Sequence, residues 1–216
     1  MTVGKWLWGV MPKRSAETSE RILDAARIIV REVGPDKLTF DAVAARIGVT
    51  KQAVIYWFPN KARLIEALVR PALEAEATTG RSSLRKSACA QVAIRDFVQA
   101  LAVFHMADLD RFRLMYVAPQ IGRRSGRAGM QLTTLGRLHP ATTAMYDVLA
   151  ERLVSDGRYT RMIDARRAAS AIHSALIGLL LRMAMSDSLN APLRHRDHAL
   201  IEALLEVLAP EPEVVL

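Results

Sequence analysis

The chain has 216 residues, of which 51% are hydrophobic and 24% charged, so it can bury a sizeable core in one or two domains. Its formal net charge of +8 favours a polyanionic partner, either nucleic acid or an acidic membrane surface. The single cysteine, Cys89, excludes an intrachain disulfide. No apolar stretch reaches the roughly 18 residues of a membrane span, so we expect a cytoplasmic protein that does not enter a membrane.

The N-terminus, MTVGKWLWGVMPKR, has too short an apolar patch for a signal peptide. A more ordinary start follows at Met11. We therefore expect residues 1–16 to be a poorly ordered extension, with residues 1–10 derived either from an upstream start codon or from an expression vector.

From residue 17 to 77 the pattern predicts four helices. The first runs from Glu17 to Val33 and stops at Gly34-Pro35. Thr39 and Thr50 are suited to cap the second and third helices, which only Gly48-Val49 separates from each other. The fourth runs from residue 61 to about 77, and Pro71 within it is expected to bend or break it.

Two short helices joined by a tight glycine-containing turn are typical of a helix-turn-helix, here about residues 39–58. The alternative is an ordinary helical hairpin in a bundle. The third helix favours the first interpretation, because it is basic, aromatic and without a clean apolar stripe.

Beyond residue 77 the pattern stays helical and shows no alternating β pattern. The polar stretch TTGRSSLRKS, residues 78–87, suggests a boundary, and GRRSGRAG, residues 122–129, a loop without the ending of a phosphate-binding loop. We predict an all-α protein: a helix-turn-helix bundle over residues 17–77 and a larger helical domain over 78–216. Its helices are expected at about 88–106, 109–118, 140–156, 165–185 and 196–208.

Two segments, RILDAARIIVREVG and LTFDAVAARIGVTKQAVIYWFPNKARLIEALV, resemble the N-terminal DNA-binding domain of the TetR family of bacterial transcriptional regulators. The likeness covers about sixty residues; beyond them it is architectural only. It implies a homodimer that binds a palindromic double-stranded DNA operator and carries a helical domain for a small-molecule effector.

The residue types agree with a DNA-reading third helix. Gln52 has the amide that reads adenine, and Ala53 suits a thymine methyl. Helix N-termini and basic groups contact phosphate. The predicted DNA-binding residues are Thr39, Thr50, Lys51, Gln52, Ala53, Tyr56 and Lys61.

One position departs from the family. It usually has a tyrosine where Ile55 stands, so Tyr56 is rotated by about 100° from the usual phosphate contact. We expect Phe58, and Trp57 beside it, to pack beneath the helix against Ile22, Ala26 and Ile47 rather than to stack on bases.

The last two helices look like the pair that forms a four-helix dimer interface in the family; the alternative is intramolecular core. The predicted interface residues are Ile172, Leu176, Leu179, Leu180, Met183, Leu200, Ile201, Leu204 and Leu208.

The middle helices carry apolar and amphipathic residues of the kind that line ligand pockets, although each is equally suited to simple core. His105 supplies a polar edge. The predicted pocket residues are Phe97, Leu101, Phe104, His105, Phe112, Met115, Tyr116, Met145 and Tyr146.

We predict no cofactor and no metal site. His195 and His198 are spaced as a metal pair, but only Asp197 is near them, so a solvated helix start is the simpler interpretation. We predict a sequence-specific transcriptional regulator, a repressor released by a small apolar or aromatic effector. An activator, a regulator with a peptide signal, a ligand-independent DNA binder and an enzyme with a borrowed helix-turn-helix remain alternatives, although no catalytic motif supports the last.

Overall fold

The computed structural model describes residues 13–34, 37–117, 139–189 and 195–210. Within them the chain is helical, as the sequence predicts, and it divides into two compact units, Met1–Leu68 and Val69–Leu216. The helices are α1 (Lys13–Val33), α2 (Phe40–Ile47), α3 (Lys51–Trp57), α4 (Lys61–Ser83), α5 (Ala90–Met106), α6 (Leu109–Tyr116), α7 (Pro140–Ser155), α8 (Met162–Ser188) and α9 (Asp197–Leu208).

The first unit contains α1, α2, α3 and the start of α4. The helices α1 and α2 contact each other, as do α2 and α3. The buried core includes Ile22, Ala26, Val43, Val54 and Leu64, each 5% exposed or less. These residues come from all four helices, so burial rather than the length of the short helices stabilises this unit.

The second unit is a helical bundle. The helices α5, α7, α8 and α9 contact one another in several pairs, and α6 packs on α5 and α8. Its core draws on every one of these helices. The largest fully buried side chains include Phe97, Phe112, Leu149, Leu153 and Leu176.

The helix α8 is long and apolar enough, over Met162–Asp187, to cross a membrane by length and composition alone. The expectation that no segment reaches that length therefore needs correction. Ala165, Ala169, Leu176 and Leu180 on this helix have no exposed surface, because they pack into the core of the second unit. We interpret α8 as the central helix of a bundle.

Two boundaries differ from those the sequence suggested. The first helix begins at Lys13 instead of Glu17, so residues 13–16 of the expected extension are helical, and Pro12 just before them is suited to a helix start. The fourth helix neither breaks at Pro71 nor ends at 77 but continues to Ser83, and a short 3₁₀ helix, Leu84–Lys86, follows. Residues 1–12 and the loop at 122–129 lie outside the described residues.

Candidate functional site

The turn between α2 and α3 is defined by its caps. Thr39 Oγ1 accepts a hydrogen bond from the amide of Ala42 at 3.1 Å, and Thr50 Oγ1 accepts one from Ala53 at 3.2 Å. Gly48 adopts φ 70°, and the following amide, of Val49, donates to the Ala44 carbonyl at 3.0 Å. That is the bond of a Schellman motif, and it needs a residue that tolerates positive φ. The angle between the two helices therefore depends on local chemistry.

Polar contacts attach this motif to α1. The guanidinium of Arg46 donates to both carboxylate oxygens of Glu32, at 2.7 and 2.9 Å. These hydrogen bonds hold the pKa of Glu32 below its usual value. Arg21 of α1 donates to the carbonyl of Ile47, the last residue of α2, at 3.2 Å. The last two residues of α2 thus attach the motif to α1.

One face of α3 is left for a partner. Val54 is fully buried and Phe58, just after the helix, is 8% exposed, whereas Lys51 and Gln52 are exposed. Tyr56 is 79% exposed, so its hydroxyl lies in solvent despite the one-residue departure from the family pattern. The structure thus gathers hydrogen-bonding groups on the outer face and apolar anchors beneath it, which is what a helix that enters the major groove requires.

The neighbouring residues also differ in their exposure to solvent. Trp57 is half-buried, and its ring meets that of Tyr56 edge-on, with the centroids 5.4 Å apart. Ala53 and Lys61 are half-buried, and Thr39 and Thr50 are exposed while their hydroxyl oxygens serve as caps. Each cap hydroxyl still has its own hydrogen to donate to a further acceptor.

Lys51 has a competing partner within its own unit. Its ammonium lies 2.8 Å from the carboxylate of Asp41 in the first turn of α2. From the sequence alone Lys51 looks free and Asp41 looks like a helix-dipole residue only, because residues ten apart on different helices give no pairing signal. An anion that binds Lys51 must therefore displace or share an existing ion pair.

The predicted pocket residues lie mostly in the core of the second unit. Phe97, Leu101, His105, Phe112 and Met145 have no exposed surface. Met115 and Tyr146 are 4% and 7% exposed, and Phe104 and Tyr116 are half-buried. The structure brings several of them together around one imidazole: the ring of His105 lies with its centroid 5.0, 5.3 and 5.7 Å from those of Phe104, Phe112 and Tyr116.

This imidazole belongs to a buried polar cluster that was not expected from the sequence. Its Nε2 lies 2.8 Å from Oε1 of Glu76, and Nε2 of His173 lies 3.1 Å from the same oxygen. The Tyr116 hydroxyl also donates to that oxygen, and the Tyr146 hydroxyl lies 2.7 Å from Nδ1 of His173. Glu76 has no exposed surface, and His173 is 4% exposed. We call Glu76, His105 and His173 the buried triad.

The triad changes the acidity of its neighbours. Burial raises the pKa of Glu76, but hydrogen bonds from His105 and His173 outweigh it and bring the pKa down to about 2. Burial and the Glu76 charge raise the pKa of Tyr146 to about 12, and they raise that of Tyr116 further. The carboxylate is therefore held ionised inside the bundle, and both phenols stay protonated.

A sequence signal for the two missed residues does exist. Glu76 follows Leu68, Val69 and Ala72 at helical spacing, and His173 stands between Ala169 and Leu176 in the apolar stripe of α8. An ionisable residue at a core position of an amphipathic helix is either paired or functional. Apolar periodicity alone does not reveal such residues, because it depends only on the apolar members of each stripe.

A separate groove of about 270 Å³ opens elsewhere on the second unit. None of the predicted pocket residues lines it; its wall comes from α5, α7, α8, α9 and the turn after α7. The lining residues are Ile94, Leu153, Arg158, Tyr159, Ala168, Ala171, Ile172, Val207 and Leu208.

The predicted interface residues are in part intramolecular core. Leu176 and Leu180 have no exposed surface, and Ile172, Met183 and Ile201 are 4–7% exposed within a single chain. Leu179, Leu200, Leu204 and Leu208 keep partial exposure. A different stripe on α8, made of small and apolar residues, is exposed to solvent: Ala171, Ser174, Gly178, Leu181 and Met185.

Residues 22–68, which span α2, α3 and the helical segments on either side, match the family model described as bacterial regulatory proteins, tetR family. None of the curated proteins matches the chain. Among solved structures, the fold is similar to that of the transcriptional regulator FadR from Bacillus subtilis, solved in complex with stearoyl-CoA. The TM-score is 0.66 at 15% identity, covering 90% of this chain and 99% of that one.

Two further solved structures have a similar fold. A TetR variant from Acinetobacter baumannii AYE in complex with minocycline has a TM-score of 0.60 at 20% identity, covering 93% of each chain. The TetR family transcriptional regulator PfmR from Thermus thermophilus has a TM-score of 0.57 at 20% identity, covering 88% of this chain and 97% of that one.

The described residues have an all-α fold, and their N-terminal part contains a helix-turn-helix of the type found in DNA-binding domains. Residues 22–68 thus form a domain of the type described by the tetR family model, and the fold of the chain is similar to that of TetR-type regulators.

Proposed function

We propose that this protein is a cytoplasmic, sequence-specific repressor that binds a palindromic DNA operator as a homodimer and is released by a small effector bound in its C-terminal unit. The observation that carries the proposal is the outer face of α3. It presents Lys51, Gln52 and Tyr56 to solvent on a short helix whose start and inclination are set by two threonine caps and a left-handed glycine. The alternatives are activation of transcription and constitutive binding.

Reading and positioning are separate roles for the DNA-binding residues. Gln52 reads a base edge, so Gln52→Ala should cost on the order of 1–3 kcal/mol and relax preference at one base position. Lys61 neutralises a phosphate, so Lys61→Ala should weaken binding to all sequences alike and lower the salt slope by roughly one. Ala53, Thr39, Thr50 and Tyr56 complete the proposed contact surface.

The experiment is selection of DNA from a random pool, followed by gel-shift titration at several salt concentrations. The exposed residues Gln99 and Arg81 of the second unit provide matched controls, Gln99→Ala and Arg81→Ala, which should leave the selected sequence and its affinity unchanged. A sequence preference altered by Lys61→Ala but not by Gln52→Ala would show that the proposed docking is wrong.

The homodimer is supported by the open stripe on α8 and by Val207, which is 79% exposed on α9. Leu181 and Met185 are 37% and 54% exposed, and small residues precede them on the same face. Exposed apolar stripes on adjacent helices favour a partner surface. We place the interface on this stripe together with the partly exposed Leu179, Leu200, Leu204 and Leu208. A dimer would also give the two half-sites a palindrome needs.

The effector is proposed to be small and largely apolar or aromatic, because aromatic rings surround His105. Met115, which precedes Tyr116 in the chain, has a flexible side chain that can repack around varied shapes. Proteins of similar fold were solved with stearoyl-CoA and with minocycline. A panel of such compounds should raise the thermal midpoint and release the selected DNA in a reporter strain and in vitro. Compounds that stabilise the protein without releasing DNA would favour an activator or a constitutive binder.

A further inference from the structure

Three helices each place one metal-ligating side chain at a single buried point. Glu76 comes from α4, His105 from α5 and His173 from α8. One donor atom from each lies within 4.8 Å of the others, and all three residues are buried. The participating atoms are a carboxylate oxygen and two Nε2 nitrogens, and both nitrogens are directed at the same oxygen.

The hydrogen bonds of the triad are unevenly distributed. Oε1 of Glu76 has three neighbours, while Oε2, also buried, has no hydrogen-bond partner among the described residues. A buried carboxylate oxygen without a partner is costly. An ion seated among the three residues would use the lone pairs of both imidazoles and draw on the second carboxylate oxygen as well.

The ligand set selects the ion by its chemistry. Two imidazoles and one carboxylate suit Zn²⁺ and neighbouring first-row ions, whereas Mg²⁺ and Ca²⁺ prefer oxygen ligands throughout. Ligand atoms about 2.1 Å from a common ion lie roughly 3.0–3.4 Å from one another. The two nitrogen–oxygen separations, 2.8 and 3.1 Å, are close to that range, and the two nitrogens lie within 4.8 Å of each other.

A partner outside the triad already orients one imidazole. The Tyr146 hydroxyl lies 2.7 Å from Nδ1 of His173. With an ion bound, Nδ1 would carry the imidazole hydrogen and donate it to the phenol oxygen, which leaves the Nε2 lone pair for the ion; without an ion, Nε2 instead carries the hydrogen that Glu76 accepts. Metal-bound histidines depend on such an outer hydrogen bond for their tautomer and orientation.

We propose that the buried triad is a binding site for one divalent first-row transition metal ion, with Zn²⁺ as its representative, and that Tyr146 positions His173 for it. This site goes beyond the DNA-binding function and does not depend on it. It also differs from the sequence-based expectation of no metal site. The competing state of the triad is one held by a proton shared among the same groups.

The test uses the full chain, stripped with a chelator and titrated with Zn²⁺ by calorimetry, and with Co²⁺ by visible absorption. We expect one equivalent per chain, a raised thermal midpoint, and Co²⁺ d–d bands without thiolate charge transfer. A matched control removes the exposed histidines: the double variant His195→Gln/His198→Gln should bind with unchanged affinity. Loss of binding in this variant would assign the ion to the surface and overturn the proposal.

Variants of the site give the complementary result. His173→Gln should lose about 100-fold or more in Zn²⁺ affinity, and Tyr146→Phe about 10- to 100-fold, since it removes only the outer hydrogen bond. Circular dichroism of the metal-free variants checks their folding. If the variants of the triad fail to fold, the surface-histidine variant still decides, because it leaves the core intact. No Zn²⁺ uptake by the stripped wild-type protein would establish the proton-held state and overturn the proposal.

Discussion

Removing the ion pair between Asp41 and Lys51 should change DNA affinity and stability in opposite directions. Replacing Asp41 with asparagine frees Lys51 for DNA and removes a negative charge from the surface proposed to meet phosphates. The same change removes the pair and an acidic residue from the first turn of α2, which the helix dipole favours. The variant should therefore bind DNA more tightly and be less stable.

The structure bounds the size of both effects. The side chains of Lys51 and Asp41 are 51% and 68% exposed, so solvent screens the pair. Pairs of this kind contribute about 0.2–1 kcal/mol, which corresponds to a gain of at most roughly fivefold in affinity per subunit. The gain should shrink as salt rises, because added ions screen the competing carboxylate. The loss in unfolding free energy should be about 0.5–2 kcal/mol when the pair and the dipole effect are combined.

The assay is a gel-shift titration on the selected operator at two salt concentrations, together with urea unfolding of the same preparations. Asp24→Asn is the matched control, because Asp24 also pairs with an arginine, Arg27 on α1, and the net charge changes equally. That control should change DNA affinity little. If Asp41→Asn weakens operator binding instead, Asp41 orders Lys51 for its contact and the competition argument is refuted.

Three further predictions concern the glycine that ends α2, the loss of stability in acid and the dimer. Gly48→Ala should cost about 1 kcal/mol in urea unfolding, because φ is 70° and an added Cβ meets no atom within 4 Å; an unchanged midpoint would contradict the strain argument. Glu32→Gln should lower stability at neutral pH. The lowered pKa of Glu32 makes its stabilising bond with Arg46 present above its usual pKa of 4.5 and lost as the pH falls through the folded value, so the two proteins should converge in acid. A stability difference that persisted at low pH would rule out that ion pair as its source. Leu181→Glu should give monomers by sedimentation with unchanged circular dichroism, whereas an intact dimer would place the interface elsewhere.

The helix-turn-helix was predictable because its boundaries are set by local chemistry. Thr39, Gly48 and Thr50 each act on residues within five positions along the chain, and the structure shows all three caps. The sequence predicts a bend or a break at Pro71, and the helix does not break there. Proline removes one amide hydrogen bond, but Pro71 is exposed, and the buried residues before and after it stabilise the helix on both sides.

The end of α4 was missed because its polar residues satisfy the helix from within. The hydroxyls of Thr78 and Thr79 donate to the carbonyls of Glu74 and Ala75 at 2.8 and 3.0 Å. A polar run that bonds back to its own helix is indistinguishable in sequence from a loop. The buried triad was missed because its members are separated by up to 97 positions, and only packing brings them together.

Gly80, near the end of the same helix, has helical geometry and needs no unusual backbone angle. A Cβ placed there would lie 2.6 Å from the sulfur of Met145 and 2.9 Å from the ring of Phe97. The helix therefore packs closely against Met145 and Phe97 at Gly80, and this close packing aligns α4 with its neighbours. Sliding α4 by one position would put Thr79 or Arg81 at that point, where neither fits. This close packing fixes the depth at which Glu76, one turn earlier, meets the two histidines, so a glycine outside the buried triad sets its alignment.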